Sequence, residues 1–264
     1  MTRPLVMGVI NVTPDSFSDG GDYLDHEAAI TRGHALIADG ADVIDVGGES
    51  TRPGAEPVPV AEELRRVLAV VEALSPHVRI SIDTRKPEVA EAAIAAGATL
   101  VNDVSASLYP VAASAGPEVG FVAMHMLGDP RTMQKNPTYR DVVADVRDFL
   151  VERAEAARTA GVEEIWVDPG IGFGKTTAHN LSLLKHLNVL VSTGLPVLIG
   201  TSRKRFLGSL LAEADRPHPD DSVPADDRVE GSVASAVWAM VQGVRMVRVH
   251  DVRATVHAAT VVAG

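Results

Sequence analysis

The stretch VIDVGGESTRPGAEPV (Val43–Val58) begins with an apolar run, VIDVG, that gives way abruptly to polar residues, glycine and proline. The same change from an apolar run to polar residues occurs at eight points along the chain. The polar residues at these points are Asn11, Gly48–Arg52, Asp83, Asn102, His125, Asp168, Thr201–Lys204 and Arg248–His250. Continuous apolar runs are typical of parallel strands that are buried on both faces. Because helical segments alternate with these runs, the pattern predicts an α/β fold, a closed (β/α)8 barrel.

The position of the polar groups also predicts where the chemistry takes place. In a barrel of this kind, functional residues lie at the carboxyl ends of the strands. Since each polar group directly follows a predicted strand, the fold would bring all of them to one face. We therefore expect an active site at that face.

Length and composition are those of an ordinary globular protein. The chain has 264 residues, close to the usual size of one barrel, and we expect a single domain over residues 1–264. Apolar residues make up 46% of the sequence and charged residues 22%. The sequence has no cysteine, which excludes disulfides and thiolate metal sites, and no apolar run approaches the length of a membrane span. These features predict a cytoplasmic location.

Apolar periodicity predicts the helices between the strands. The predicted helices are His26–Asp39, Ala61–Leu74, Pro87–Ala96, Arg140–Ala160, Ala178–Leu190, Ser232–Gln242 and Ala254–Ala263. Two stretches, Leu127–Thr138 and Ala212–Asp226, are rich in Pro, Asp or Asn and are predicted to be long loops. Of these two loops, we expect the second to be disordered.

The charge pattern favours a small anionic ligand over nucleic acid. A net charge of −11 argues against phosphate-backbone binding, which needs clustered Lys and Arg. Basic residues nevertheless follow strands seven and eight, where barrels of this type usually bind phosphate. Arg248 and His250 are two residues apart and can point to the same side of a strand end. The segment Asp168–Lys175 (DPGIGFGK) lacks the full spacing of a phosphate loop, so it predicts no second phosphate site.

Three further strand ends carry Asp83, Asn102 and Asp168. Side chains in this position often cap the next helix, and Asp83 could do so. Together, however, they suit a flat heterocycle with an amino-amidine edge, because a carboxylate accepts two parallel N–H bonds in its plane. Two buried carboxylates would also favour a ligand that becomes cationic as it reacts.

Two glycine-rich loops follow strands one and two. The loop Asn11–Gly21 (NVTPDSFSDGG) carries Phe17 and is longer than a plain turn, so either a mobile lid or an N-cap loop explains it. In the loop Gly47–Val58, Arg52 offers a guanidinium suited to a carboxylate or phosphate. The alternative for that loop is a flexible connector with a solvated Arg.

Segments at all eight strand ends resemble those of the dihydropteroate synthases, the folate-pathway enzymes that sulfonamides target. The matching segments are NVTPDSFSDGG, DVGGESTRPGAEPV, SIDT, VNDVS, MHMLGDPRTMQ, DPGIGFGKT, GTSRKRFLG and RVHDV, in the family's order from Asn11 to Val252. The resemblance implies a TIM barrel, a homodimer and a Mg²⁺ cofactor. It also implies a transferase that condenses 6-hydroxymethyl-7,8-dihydropterin diphosphate with p-aminobenzoate and releases pyrophosphate.

The same resemblance implies roles for individual residues. Asn11 matches the Mg²⁺ ligand, and Lys204, Asp15 and Arg248 match catalytic positions. The residues implied to bind pterin diphosphate are Thr51, Asp83, Asn102, Asp168, Lys204, Arg248 and His250. Those implied to bind p-aminobenzoate are Phe17, Thr51, Arg52, Pro53, Ser202 and Lys204.

Two other functions are compatible with a pterin-binding barrel. A methyltetrahydrofolate-dependent methyltransferase shares the acids that bind the ring but has no diphosphate to expel. An inactive paralogue would retain binding or assembly alone. The NVTPDSF loop and the basic residues after strands seven and eight argue against the first, and no loss of loop residues indicates the second.

Overall fold

Buried apolar runs form eight parallel strands in the part of the chain that the structure describes. The structure is a computed structural model, and it describes residues 2–13, 22–51, 54–214 and 222–264, with backbone alone for residues 22–25. The strands are β1 (Leu5–Asn11), β2 (Val43–Gly47), β3 (Arg79–Asp83), β4 (Leu100–Asp103), β5 (Gly120–Met124), β6 (Ile165–Asp168), β7 (Leu198–Ile199) and β8 (Met246–Val249). Each one ends at or next to a polar group predicted from the sequence.

The strands pair in the order β6-β5-β4-β3-β2-β1-β8-β7. Between the two outer strands of this order, Val167 N–H donates to the Pro196 carbonyl at 3.0 Å, and an isolated parallel bridge joins Val167 to Val197. This contact joins the two outer strands and closes the sheet into a barrel. The predicted (β/α)8 TIM barrel is thereby confirmed.

Helices alternate with the strands around the barrel. They are α1 (Asp22–Ala38), α2 (Val60–Leu74), α3 (Pro87–Ala95), α4 (Tyr109–Ala115), α5 (Val142–Ala160), α6 (Thr177–Lys185), α7 (Leu187–Val191), α8 (Arg205–Ala214), α9 (Val229–Val241) and α10 (Val252–Ala263). All seven predicted helices are present, with shifted ends. Among the described residues, no helix is long and apolar enough to cross a membrane.

Three helix predictions need correction. Helices α4 and α8 are absent from the prediction; α4, of seven residues, is too short to show a clear period, and α8 directly follows the polar group Thr201–Lys204. The predicted helix Ala178–Leu190 is two helices, because His186 leaves helical geometry at φ −115° and ψ 30°. The predicted loop Ala212–Asp226 begins inside α8 and ends in a 3-10 turn at Ala225–Asp227, and its residues 215–221 lie outside those described.

The barrel interior is layered. Seven apolar side chains, one from each of seven strands, pack together on its inner face: Met7, Val43, Leu100, Val122, Trp166, Leu198 and Met246. Side chains two residues further along a strand point to the same face. On four of these strands that next inward position is polar, namely Asp45, Asn102, Asp168 and Arg248. A polar layer therefore lies directly on an apolar floor.

Candidate active site at the carboxyl ends of the strands

Arg248 on β8 is the hub of the polar layer. Its Nε donates to Oδ2 of Asp45 at 2.6 Å, and its Nη2 donates to Oδ2 of Asp83 at 2.8 Å. Burial by itself lowers the pKa of Arg248, but the two carboxylates outweigh burial and hold the pKa above its ordinary value. The guanidinium is therefore a fixed positive charge whose orientation two strands determine.

Asp45 on β2 is a site residue that the sequence analysis missed. It is fully buried, and its Oδ2 also accepts from Nδ2 of Asn102 at 3.1 Å. Asp45 thus links Arg248 with Asn102, across β8, β2 and β4. The available signal was a single acid inside the otherwise apolar run VIDVG, two residues after Val43.

Asp83 lies at the end of β3, where Gly47 is its partner in register. Burial raises the pKa of Asp83 to about 7, against the attraction of Arg248. The carboxylates of Asp45, Glu63 and Asp103 also raise this pKa. The site without ligand is therefore crowded with negative charge, which a ligand carrying N–H donors or positive charge would relieve.

Neither Asp83 nor Asp168 caps a helix. Helix α3 begins at Pro87 after Lys86, and α6 is capped by the Thr176 side chain. Asp83 instead accepts from Arg248. The helix-cap alternative for these residues is thereby ruled out.

Asp168 at the end of β6 is buried, and its Oδ1 accepts from the N–H of Gly170 at 2.7 Å. Burial raises the pKa of Asp168, although the nearby charge of Lys204 and the Gly170 N–H both lower it. In the strand order, β6 with Asp168 is separated by β5 and β4 from β3 with Asp83 and β2 with Asp45. Asp168 and the pair Asp45 and Asp83 therefore lie on different sides of the barrel mouth.

Lys204 lies just before α8 and is half-buried. Its Nζ donates to the carbonyl of Ile171 and lies 4.7 Å from the ring centroid of Phe173. Burial lowers the pKa of Lys204 to about 8, against the attraction of Asp168, and the charge of Arg248 adds to the fall. Lys204 is therefore held by the loop that follows β6.

Ser202 and His250 form one corner of the site. The Oγ of Ser202 lies 3.0 Å from Nδ1 of His250 and accepts from the His250 N–H at 3.1 Å. Beside this pair, Arg203 has a left-handed φ of 60° and donates to both carboxylate oxygens of Asp251, at 3.1 and 2.5 Å. The loops after β7 and β8 are thus tied together at the rim where the sequence predicts a phosphate site.

Glu49 anchors the loop after β2. It belongs to the predicted polar group Gly48–Arg52, but the sequence predicted no role for it. The Glu49 carboxylate accepts from Arg85 at 2.9 Å, from Lys86 at 2.7 Å and from the N–H of Val58 at 2.7 Å. Further along, the N–H of Gly54 donates to a carbonyl in the loop after β5, at 3.1 Å. These contacts fix both ends of the loop.

The remaining predicted residues divide into two groups. Asn11 is half-buried at the end of β1, where it pairs in register with Gly47, and Thr51 is half-buried in the next loop. Four predicted residues lie outside the described part of the chain: Asp15, Phe17, Arg52 and Pro53. The structure therefore brings the pterin and diphosphate candidates of β3, β4, β6, β7 and β8 to one rim.

Comparison with known proteins agrees with this geometry. Residues 7–250 match the family described as pterin binding enzyme. The chain is 45% identical to the dihydropteroate synthase of Escherichia coli strain K12, over 99% of this chain and 92% of that protein.

Two solved structures of the dihydropteroate synthase from Xanthomonas albilineans are similar throughout. The complex with 4-aminobenzoic acid has a TM-score of 0.88 and 49% identity, covering 98% of this chain and 92% of that one. The complex with 7,8-dihydropteroate has a TM-score of 0.84 and 47% identity, with the same coverage. The chain belongs to the pterin-binding enzymes and, within them, to the dihydropteroate synthase family.

Proposed function

We propose that this protein is a dihydropteroate synthase, a transferase that joins 6-hydroxymethyl-7,8-dihydropterin diphosphate to p-aminobenzoate and releases pyrophosphate. The observation that carries the proposal is the polar layer in which Arg248 is fixed by Asp45 and Asp83 beside Asn102. In a member of this family, that layer supplies hydrogen-bond acceptors for a ring and a cation for a diphosphate.

The pterin ring would be held by Asp83, Asn102, Asp168 and Lys204. Oδ1 of Asp168 already accepts from the Gly170 N–H, and the carboxylate keeps Oδ2 and a second lone pair on Oδ1 for the N–H groups of the ring. The elevated pKa values of Asp83 and Asp168 reflect burial, which outweighs the donors that Arg248 and Gly170 already provide. A ligand that donates to both carboxylates would stabilise their charged forms.

The diphosphate would lie toward Arg248, His250, Thr51 and Asn11. Mg²⁺ prefers oxygen ligands and usually keeps several waters while binding substrate phosphates. Among the described residues, no group of three or more His, Asp or Glu side chains could hold a metal ion. The amide oxygen of Asn11, half-buried at the end of β1, would be one such ligand, with the substrate and water supplying the others. When bound, that ion would neutralise the diphosphate and make it a better leaving group.

p-Aminobenzoate would bind last, between the loops after β1, β2 and β7. The family's positions for this pocket are Phe17, Thr51, Arg52, Pro53, Ser202 and Lys204, with Asp15 on the same loop as Phe17. The anchoring of the β2 loop by Glu49 supports a pocket built partly from loops.

The chain's residues would promote substitution at the exocyclic carbon of the pterin by electrostatics and positioning. As the C–O bond to diphosphate breaks, positive charge develops on the pterin, and Asp83 and Asp168 stabilise it, with Asp15 in support. An aromatic amine is neutral near pH 7, so no general base is needed to activate it. The closed loops exclude water while the C–N bond forms, and the amine then transfers its proton to the departing pyrophosphate.

Assembly and location are further proposals. We expect a homodimer in the cytoplasm. The exposure of Trp238 (50%) and Val241 (61%) on α9 supports a face that a second copy covers. Light scattering on the purified protein measures the oligomeric state.

A pyrophosphate-release assay with and without p-aminobenzoate tests the proposed reaction. We expect release that depends on both substrates, with 7,8-dihydropteroate formed in equal amount. Methyl transfer from methyltetrahydrofolate without pyrophosphate release would favour the methyltransferase-type barrel. Ligand binding without any turnover would identify an inactive paralogue.

A further inference from the structure

Lys175 is a buried cation to which neither the sequence motifs nor the proposed reaction gives a role. Its side chain is 3% exposed, and its Nζ lies 2.9 Å from Nδ1 of His125. The same Nζ donates to the carbonyl of His125 at 3.3 Å and to that of Phe173 at 3.0 Å. Lys175 therefore joins the end of β5 to the loop after β6.

The contacts match an ammonium group. An ammonium has three N–H donors, and the three contacts offer three acceptors, provided that Nδ1 of His125 is unprotonated. Burial lowers the pKa of His125 to about 3, so the imidazole is neutral at neutral pH. Burial also lowers the pKa of Lys175 to about 7, against the attraction of Asp168, so the ammonium and its three contacts are complete below pH 7 and are lost as pH rises through 7.

The loop that Lys175 fastens is the loop that holds Lys204. Ile171 accepts from Lys204 through its carbonyl, and the Phe173 ring lies 4.7 Å from the same ammonium. Phe173 therefore contacts both lysines, one through its carbonyl and the other through its ring. A shift of this loop would move the surface on which Lys204 rests.

The loop is packed closely against β5. Gly170 has a φ of 63°, and a Cβ built on it would lie 1.9 Å from the His125 carbonyl oxygen. The His125 carbonyl oxygen thus lies against Gly170 and also accepts from the Lys175 ammonium. Lys175 lies where it can fix the spacing between the two strands' ends.

We propose that Lys175 is a positioning residue for the synthase reaction: its ammonium locks residues 170–175 against His125 and thereby places Lys204 against the substrates. The inference rests on the proposed function. It assigns Lys175 no contact with substrate, and its effect on catalysis passes through Lys204.

The test is a double-mutant cycle with Lys175→Met and Lys204→Met, and Lys185→Met on the exposed end of α6 is the control. Loss of one ångström of alignment can cost about 100-fold in rate. We expect Lys175→Met to lower kcat roughly 10- to 100-fold, and to raise the KM for p-aminobenzoate no more than Lys204→Met does, since Lys204 also belongs to that pocket. In the Lys204→Met background, the same change should have almost no further effect.

His125→Phe provides a second route if Lys175→Met does not fold. It keeps a ring against Phe149 and Tyr139 but removes the Nδ1 acceptor, so kcat should fall in the same direction. A folded Lys175→Met or His125→Phe protein with wild-type kcat and only a lower Tm would overturn the inference. Additive losses in the cycle would also overturn it, whereas an inactive wild-type enzyme would instead refute the proposed function.

Discussion

At the level of single residues, charge balance determines what the site can bind. Arg248 is paired with Asp45 and Asp83, and the charges of Asp168 and Lys204 attract each other. Opposite charges are therefore in place before a ligand arrives. Such preorganised charges need little rearrangement during reaction, which is the property that electrostatic catalysis requires.

Lys204→Ala should nearly abolish turnover while the protein stays folded. Lys204 is half-buried near the mouth and outside the apolar core, so its loss removes a cation at the substrates without opening a large cavity. Loss of one such stabilising group typically costs about 100- to 1,000-fold in kcat. Steady-state kinetics and circular dichroism check this, and unchanged pyrophosphate release would remove Lys204 from the mechanism.

The pH profile should report the Lys204 ammonium. Its pKa is about 8 in the site without ligand, so protonation, and with it the positive charge, is lost as pH rises through 8. The value of kcat/KM, which reflects the free enzyme, should therefore fall above pH 8. In the enzyme–substrate complex the bound diphosphate stabilises the Lys204 ammonium and raises its pKa. The fall in kcat should therefore begin at a higher pH than the fall in kcat/KM. Lys204→Arg should remove the fall near pH 8 and leave the loss near pH 7 that the Lys175 ammonium causes, and an identical profile in that variant would assign the fall near pH 8 to another group.

Asp168→Asn should weaken pterin binding and lower kcat together. The amide can still accept from Gly170 through Oδ1, but its nitrogen would face the ring donors. An unpaired buried donor costs about 1–3 kcal/mol, equivalent to roughly 5- to 150-fold in affinity. Calorimetry with a pterin ligand and steady-state kinetics measure both effects. A variant with a lower Tm but wild-type pterin affinity and kcat would show that the role of Asp168 is purely structural.

At the level of elements, the loop after β6 connects strand geometry with the catalytic lysine. Its glycines at 170, 172 and 174 all have positive φ, between 63° and 86°. Only such a backbone lets the loop approach the end of β5 closely while its carbonyls point toward the two lysines. Loop shape and lysine position are therefore coupled.

Gly170→Ala and Gly194→Ala together separate backbone strain from crowding. Both glycines have positive φ, 63° and 80°, but an added Cβ at Gly194 meets nothing within 4 Å. We expect Gly194→Ala to cost about 1 kcal/mol of stability with normal kinetics. Gly170→Ala should cost more and also reduce kcat, because its Cβ would displace the His125 carbonyl. Equal losses of stability and equal kinetics in the two variants would contradict this. Urea unfolding and turnover assays provide the comparison.

Strand ends were predictable because each is a local change in the sequence, and a barrel collects them at one face. Asp83, Asn102, Asp168 and Arg248 were therefore found. Asp45 was missed because its partner Arg248 is 203 positions away, and the one local signal, a single acid inside the apolar run VIDVG, does not show what that acid contacts. Lys175 was missed for a similar reason, because its partner His125 is 50 positions away.

At the level of the whole molecule, the closed barrel converts eight separate strand ends into a single rim. Arg248 on β8 reaches β2 and β3, Asn102 on β4 reaches β2, and Lys204 after β7 rests on the loop after β6. Side chains that are distant in sequence thus form one connected network. The deep end of that network suits a pterin diphosphate, and the surrounding loops suit a second substrate above it.

The central claim is that this rim is a single site in which two substrates bind in a fixed order. Calorimetry tests this claim most directly. p-Aminobenzoate is titrated into the protein alone and into the protein saturated with pyrophosphate and Mg²⁺. We expect weak binding in the first titration and clearly tighter binding in the second, because the diphosphate end must be filled before the loops complete the pocket. Equal affinity for p-aminobenzoate in the two titrations would contradict this order and the single site behind it.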